Sequence, residues 1–279
     1  MNRLLTVQDI SCVGKCSLTV SLPVISAMGV EASVLPTAVL STHTMYPNCT
    51  CLDLTDQLEP IIHHWKQCGF TFDAIYTGYL RSAAQIACMS RLFAEFRTET
   101  NLIFVDPAMA DHGTLYRGFD MAFVGQMAKL CAQADVIVPN LTEACLMTEV
   151  PYRETFTKEE LRELLKKTAA LGAGICILTG VSPEEGKTGI AGYDRREEEF
   201  FFYSREKLPA SFHGTGDLFS SVCVGALARG YTWQDAAALA ADFTAECIRR
   251  TLRHPPDDPR RGVNFEEAIP YLVNRITYG

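Results

Sequence analysis

The sequence lacks three features that would place it in a specialised class of protein. It has no apolar run of about 18 residues, which argues against a membrane-spanning helix, and its first nine residues lack the pattern of a secretory signal. It has no excess of positive charge, since 25 Lys and Arg stand against 33 Asp and Glu, a formal charge of −8. That balance disfavours a nucleic-acid partner bound through a broad basic face. We expect a cytoplasmic protein with no membrane or nucleic-acid partner.

Cysteine is plentiful, but its spacing lacks the pattern of a disulfide framework or a zinc site. The eleven cysteines are odd in number and scattered through apolar segments. The pairs Cys12/Cys16 and Cys49/Cys51 have no second pair and no histidine at ligand spacing. We therefore expect small buried thiols and no structural metal.

Two common phosphate-binding motifs are also missing. Gly14-Lys15 has the glycine-lysine pair of a P-loop, but Cys16 follows where Ser or Thr is required, and Asp9 occupies the place of the first glycine. No Gly-x-Gly-x-x-Gly follows a predicted strand, so the dinucleotide-binding fingerprint is absent as well. A bound nucleotide must use another kind of site.

Short apolar runs alternate with amphipathic stretches, which indicates βαβ units and a mainly parallel sheet covered by helices. The 279 residues show no repeat, linker or change of composition, so we predict one domain over residues 1–279. Predicted strands are 4–8, 32–36, 74–77, 102–106, 136–139 and 175–179, followed by an antiparallel pair at 188–194 and 199–204. The main predicted helices are 158–171, 214–229, 233–252 and 265–276.

One predicted helix opens with Gly214-Thr215-Gly216-Asp217, directly after the antiparallel pair. Glycine lets the backbone approach a ligand closely, and the free N–H groups at a helix N-terminus favour a phosphate. Asp217 stands beside this anion site, where a carboxylate can accept the proton of an attacking hydroxyl. An acidic residue that only stabilises the first turn is the alternative.

Polar residues follow two of the predicted strands. Asp106 closes one strand, and Asn140 and Glu143 follow another. Ligands of open α/β sheets bind at the carboxyl ends of strands, so these groups are candidates for Mg²⁺ and phosphates. A capping box of Asn140 and Glu143 is compatible with that interpretation. We expect an open cleft here, so that Glu143→Gln changes the Mg²⁺ requirement and leaves the fold intact.

Four motifs, in this order and at these separations, resemble the ribokinase-like (PfkB) superfamily: Gly78-Tyr79-Leu80, Asp106-Pro107-Ala108-Met109, Asn140-Leu141-Thr142-Glu143 and Gly214-Thr215-Gly216-Asp217. Within it, the segment from Gln8 to Gly14 and Ser41-Thr42-His43-Thr44 are similar to the pyridoxal/pyridoxamine kinases of Gram-positive bacteria. The resemblance implies a three-layer α/β/α sandwich with a mainly parallel central sheet and an antiparallel edge. It also implies a homodimer.

The activity implied by this resemblance is vitamin B6 salvage. ATP and Mg²⁺ would phosphorylate the 5′-hydroxymethyl group of pyridoxal, pyridoxamine or pyridoxine. The need for a monovalent cation such as K⁺ stays open. A hydroxymethylpyrimidine kinase is the first alternative, and a catalytically silent B6-binding protein is the second. A sugar kinase is disfavoured because the chain lacks the longer N-terminal lid insertion of that branch.

The resemblance also assigns roles to single residues. Asp217 is the implied general base, beside a phosphoryl-binding backbone at Gly214, Thr215 and Gly216. Asp106 and Glu143 are implied at Mg²⁺, directly or through water. The implied nucleotide-side residues are Asn140, Glu143, Thr179 and Gly180, and the implied residues around the pyridine ring are Asp9, Ser11, Thr44 and Tyr79.

Other residues of the predicted loops have two interpretations. His43, His112 and His213 either contact substrate or are hydrogen-bonded loop histidines. Cys49 and Cys51 either meet an aldehyde substrate or are inert. Residues 45–52 are predicted to form a substrate lid that is mobile without ligand.

Overall fold

The apolar runs of the sequence form strands in the computed structural model, which describes residues 2–278. The strands are β1 Arg3–Ser11, β2 Glu31–Leu40, β3 Cys51–Asp53, β4 Ala74–Thr77, β5 Leu102–Val105, β6 Ala110–Asp111, β7 Thr114–Leu115, β8 Val136–Ile137, β9 Ile175–Thr179, β10 Lys187–Asp194 and β11 Glu199–Glu206. The helices are α1 Leu18–Ala27, α2 Thr55–Gln67, α3 Ala83–Phe96, α4 Met121–Cys131, α5 Leu141–Thr148, α6 Lys158–Ala169, α7 Thr215–Ala228, α8 Trp233–Arg253 and α9 Phe265–Tyr278, and a 3₁₀ turn spans Pro259–Arg261.

Two compact units divide the chain. The first comprises the residues up to Ile75 together with those from Leu208 onward, and the second is Tyr76–Lys207. The order of hydrogen-bonded strands is β4-β1-β2-β3 in the first unit and β11-β10-β9-β8-β5-β4 in the second. Strand β4 stands in both orders because its first two residues belong to the first unit and its last two to the second. The single domain over residues 1–279 stays a prediction.

The first unit has its core between β1 and the helices packed on it. Six consecutive residues of β1, from Leu4 to Asp9, are buried, as expected of a parallel strand with both faces covered. β1 pairs in parallel with β2, and the short β3 adds an antiparallel edge to β2. Val24 of α1 and Val222 of α7 are fully buried in this unit. Because β1 and β2 are parallel, the C-terminal end of β1 lies next to the loop that follows β2.

The second unit carries the predicted antiparallel edge. β5, β8 and β9 pair in parallel, whereas β10 runs antiparallel to both β9 and β11. Leu161, Leu164 and Leu165 of α6 are buried, as their helical spacing predicts. The predicted fold class, α/β with a mainly parallel sheet and an antiparallel edge, is confirmed.

Some predicted boundaries are wrong. β5 ends at Val105 rather than at 106, and β8 ends at Ile137 rather than at 139, because Pro139 has no N–H for a ladder and the chain turns into the cap of α5. α6 ends at Ala169 rather than at 171, where Leu171 and Gly172 donate i→i−3 hydrogen bonds that tighten the last turn.

Candidate active site

The first turn of α7, in the first unit, is not capped by a side chain. Gly214 is the N-cap residue, with φ of 80°, and no side chain caps the helix. The first helical hydrogen bond runs from the N–H of Leu218 to the carbonyl oxygen of Gly214, at 3.0 Å. The N–H groups of residues 215–217 precede that bond and are not used by the helix, so the helix start can bind an anion.

The two glycines of this turn have different roles. A Cβ on Gly214 would collide with the carbonyl oxygen of Lys15, and its positive φ is one that other residues rarely adopt. A Cβ on Gly216 would meet nothing within 4 Å. The protein's own packing therefore requires Gly214, whereas Gly216 leaves open space on the exposed side of the turn.

Asp217 lies in the first turn of α7, where the helix dipole favours a negative charge. Burial and the charge of Asp217 together raise the pKa of the Cys16 thiol, so the carboxylate lies within electrostatic reach of the loop between β1 and α1. A half-buried carboxylate beside free N–H groups has the chemistry of a general base next to a phosphate site.

Asp9 and Ser11, at the end of β1, are brought together. Both are buried, and the Ser11 hydroxyl donates to Asp9 Oδ2 at 3.0 Å. The Ser17 hydroxyl donates to Asp9 Oδ1 at 2.8 Å. Burial raises the pKa of Asp9, and these two hydroxyl donors oppose that change. Ser17 stands at the N-cap of α1 but makes no cap hydrogen bond, since its hydroxyl is used by Asp9.

The loop 41–50, after β2, carries a buried histidine next to an exposed threonine. His43 is 3% exposed, and its Nε2 lies 2.7 Å from the carbonyl oxygen of Arg260. Thr44 is exposed. His43 is therefore a hydrogen-bonded loop histidine, while substrate contact by His43 and the role of Thr44 stay predictions.

Lys15 does not serve as a P-loop lysine. Its ammonium group lies 2.8 Å from Glu266 Oε2 and 3.1 Å from Asn264 Oδ1, both at the start of α9. The amine is therefore bound to protein groups, in agreement with the missing P-loop motif.

In the second unit, the carboxylate of Glu143 connects two loops by hydrogen bonds. It does not lie in an open cleft. It is 2% exposed, and its Oε1 accepts the N–H of Met109 at 3.0 Å and that of Ala110 at 3.4 Å. Its Oε2 accepts the N–H of Asn140 at 2.8 Å, and Asn140 Oδ1 accepts the N–H of Glu143. The predicted capping box is confirmed, but the expectation that Glu143 is an open-cleft residue of no structural weight is wrong.

Asp106 and Glu143 meet the chemical requirement for Mg²⁺. Both are carboxylates, and both charges add to the effect of burial in raising the pKa of the Cys131 thiol, so both lie near that sulfur. Burial also raises the pKa of Glu143 itself, against its three backbone hydrogen bonds. No group of three candidate metal ligands occurs among residues 2–278. Direct or water-mediated binding of Mg²⁺ by Asp106 and Glu143 stays a prediction.

Three further predicted site residues lie in the second unit. Thr179, at the end of β9, forms an isolated parallel bridge with Asn140, and its N–H donates to the carbonyl oxygen of Pro139. Gly180 follows with φ of 71°, and a Cβ there would meet nothing. Tyr79 instead packs against Phe119, with ring centroids 5.7 Å apart. Asn140, Thr179 and Gly180 are thus adjacent, while Tyr79 belongs to a separate aromatic group.

The cysteines divide between the core and the surface: Cys12, Cys51 and Cys68 are exposed and Cys49 is half-buried, so the roles of Cys49 and Cys51 stay predictions. Seven of the eleven cysteines are buried, which confirms their role as small apolar residues. His112 is exposed and lies beside Asp111, with a nitrogen–oxygen distance of 3.5 Å. Sequence reasoning missed Ser17 and the Arg260 carbonyl as hydrogen-bond partners of Asp9 and His43, because no local pattern links them to β1 or to residue 43.

Within residues 2–278 no helix is both long and apolar enough to cross a bilayer.

A mainly parallel α/β fold and an uncapped, glycine-containing helix start such as that of α7 are features of α/β proteins that bind phosphate groups. Residues 22–256 match the family described as phosphomethylpyrimidine kinase, and the chain belongs to that family. It is therefore a kinase. Among curated proteins, pyridoxal kinase of Arabidopsis thaliana is 25% identical over 93% of this chain and 84% of the relative.

Solved structures give closer matches. A protein from Bacteroides thetaiotaomicron, provisionally named as a phosphomethylpyrimidine kinase and crystallised with pyridoxal, is 40% identical, with a TM-score of 0.91 over 97% of this chain and 95% of that chain. Pyridoxal kinase from Lactobacillus plantarum is 32% identical, with a TM-score of 0.91 over 99% and 98% of the two chains. These matches confirm the ribokinase-like fold class.

Proposed function

We propose that this protein transfers the γ-phosphoryl group of ATP to the 5′-hydroxymethyl group of a B6 vitamer, namely pyridoxal, pyridoxamine or pyridoxine. The observation that carries the proposal is the relative of 40% identity crystallised with pyridoxal, supported by the pyridoxal kinase of 32% identity. A kinase acts mainly by alignment and charge stabilisation, so the decisive residues are those that hold phosphate and remove the hydroxyl proton.

The first unit would supply the proton acceptor and the acceptor site. Asp217 takes the proton of the substrate hydroxyl, and the free N–H groups of Thr215 and Gly216 stabilise the charge of the transferring phosphoryl group. Asp9 and Ser11, fixed by their mutual hydrogen bond, border the ring-binding region together with Thr44. The resemblance of the motifs implies Tyr79 as a further ring-binding residue.

The second unit would supply the nucleotide side. Thr179 and Gly180 would supply a hydroxyl and an unobstructed backbone at the end of β9. Asn140 is proposed on the same side, where its amide nitrogen donates to the carbonyl oxygen of Ala110 and its amide oxygen accepts the N–H of Glu143. Asp106 and Glu143 would hold Mg²⁺, directly or through water, and the bound ion would supply positive charge to neutralise the phosphates. Glu143 also fixes the loop after Asp106 through its hydrogen bonds to Met109 and Ala110.

The substrate assay separates this proposal from its alternatives. The purified protein is incubated with Mg·ATP and pyridoxal, pyridoxamine, pyridoxine or hydroxymethylpyrimidine, each alone, and phosphorylated product is measured. We expect the B6 vitamers to be phosphorylated at least about tenfold more efficiently, in kcat/KM, than hydroxymethylpyrimidine. Preferential turnover of the pyrimidine would assign the activity named by the family description, and no turnover at all would favour a silent binding protein.

Three accompanying expectations remain predictions. A homodimer, a cytoplasmic location and kinship with the Gram-positive branch are implied by the resemblance of the motifs. The K⁺ requirement is tested in the same assay by replacing K⁺ with Na⁺ or a larger organic cation. Sedimentation at several protein concentrations tests the dimer.

A further inference from the structure

Residues from several loops of the first unit contact the side chain of His43. Its Nδ1 accepts the N–H of Met45 at 3.4 Å, so the proton of the neutral ring lies on Nε2 and is donated to the carbonyl oxygen of Arg260. A Cβ on Gly14 would collide with the ring, and the ring of Tyr46 lies 4.9 Å away between centroids. Both nitrogens and the ring edge of His43 are therefore fixed by the protein.

His213 packs on this fixed ring. The centroids of the two imidazoles are 4.2 Å apart, with 33° between their planes. Burial and the neighbouring His43 lower the pKa of His213 to about 4, so His213 is neutral at pH 7 and no charge repulsion opposes the contact. His213 directly precedes Gly214, the N-cap residue of α7.

The contact joins two segments with different proposed tasks. His43 directly precedes Thr44 in the loop proposed to hold the phosphoryl acceptor, and His213 directly precedes the turn proposed to hold phosphate. Tyr46 strengthens the first attachment, because the guanidinium of Arg260 lies 4.4 Å from its ring centroid. Gly262 packs against the carbonyl oxygen of His213 on the other side, which would lie 3.1 Å from an added Cβ.

We propose that His213 is a positioning residue, whose ring contact with His43 fixes the start of α7 relative to the loop 41–50. The proposal deepens the proposed function and rests on it, since it assigns the contact to the alignment of phosphate and acceptor. A displacement of about 1 Å at such a site can lower a rate by about a hundredfold, so one aromatic contact next to the helix start can matter. The imidazole itself takes no part in proton transfer.

The first test compares two replacements of His213. His213→Phe keeps a flat ring, and His213→Leu keeps volume without a ring. We expect His213→Leu to lower kcat about tenfold and to raise the KM for the vitamer, with His213→Phe within about threefold of wild type. His63→Ala, an exposed histidine of α2, is the matched control with unchanged kinetics. Equal impairment of the Phe and Leu variants would overturn the proposal, and so would equal retention of activity.

A double-mutant cycle tests whether His43 is the partner. If the two rings act together, His43→Leu/His213→Leu should be no worse in kcat/KM than the worse single variant. Multiplying effects of the two single changes would contradict the proposal. Thermal unfolding of each variant shows which of them are folded at the assay temperature.

Hydrogen exchange provides a reading that does not depend on activity. We expect the amides of residues 41–50 to exchange about five- to tenfold faster in His213→Leu than in wild type, and unchanged in His63→Ala. Unchanged exchange in this segment would refute the ring contact as a link between loops. If the wild-type protein phosphorylates no substrate while exchange responds as expected, the proposed function fails and the link between the loops stands.

Discussion

The starts of α5 and α7 show two opposite ways to treat the free N–H groups of a helix. At α5, Asn140 and Glu143 satisfy each other's N–H groups in a capping box, and Glu143 also binds the N–H groups of the preceding loop. At α7, Gly214 offers no side chain, and the donors of the first turn remain available. The first arrangement fixes a loop, and the second leaves a place for an anion.

This difference distinguishes a carboxylate that stabilises the fold from one that is available to react with a substrate. Glu143 is buried with three backbone donors, whereas Asp217 is half-buried in a turn that no side chain caps. A carboxylate whose oxygens are bound to backbone N–H groups is a poor proton acceptor for a substrate, because those bonds would have to break. The comparison therefore supports the proposal that Asp217 of α7 is the general base and that Glu143 of α5 has a supporting role.

The largest expected change in stability follows from Gly214→Ala. The new Cβ would collide with the Lys15 carbonyl and force a left-handed conformation on alanine. We expect a loss of about 3 kcal/mol or more in the free energy of unfolding. Urea unfolding measures it, and a change below about 1 kcal/mol would show that the close approach to Lys15 is not required.

Glu143→Gln should have the next largest effect. The amide group of Gln keeps one acceptor but turns an NH₂ group towards a backbone N–H, so at least one buried donor loses its partner. We expect a loss of about 2 kcal/mol in the free energy of unfolding. Glu160→Gln is the matched control, because Glu160 forms the same capping box with Thr157 on the exposed surface of α6. Equal losses in both variants would contradict the structural role of Glu143.

Acid should destabilise the protein through His213. Its pKa is lowered to about 4 in the folded protein, against about 6.5 when unfolded, so the unfolded chain binds more protons between these values. The contribution of His213 to stability should therefore fall as the pH drops from 6.5 to 4, while the raised pKa of Glu143 acts in the opposite direction, so His213→Phe should lose about 1–2 kcal/mol less than wild type over this range. Unfolding curves at pH 4.5 and 7 give the difference, and parallel pH profiles of both proteins would be the contrary result.

Gly216→Ala should have the smallest effect on stability. Its Cβ meets no protein atom, and alanine is the better helix former, so the free energy of unfolding should change by less than about 1 kcal/mol. The methyl group nevertheless enters the open space beside the free N–H groups, and the KM for ATP should rise on the order of tenfold. An unchanged KM would place the phosphate elsewhere.

The sequence was sufficient for the fold class and for part of the site. Buried apolar runs such as the one in β1 predict strands because a parallel strand is covered on both faces. The spacing of Asn140 and Glu143 predicted the capping box in the same way. The strands β3, β6 and β7 were missed because segments of two or three residues carry no periodic pattern, and β3 is defined by its pairing with β2.

Contacts between distant parts of the chain could not be predicted. Nothing near residue 43 or residue 213 indicates that the two imidazoles stack, since the contact depends on how the loops close in the first unit. Gly214 was predicted as a phosphate-approach glycine, but its strictest constraint is the carbonyl oxygen of Lys15. The burial of Glu143 likewise depends on where the loop at Met109 folds.

The central claim is that Asp217 removes the hydroxyl proton while other groups bind the nucleotide, and Asp217→Asn tests it most directly. Asn keeps the size of the side chain and much of its hydrogen-bonding capacity at a helix start, so the variant should fold. We expect kcat for phosphorylation of pyridoxal to fall by about 10²–10⁴-fold, with the dissociation constant of Mg·ATP from calorimetry nearly unchanged. A variant that keeps more than about a third of the wild-type kcat would contradict the assignment of Asp217 as the general base.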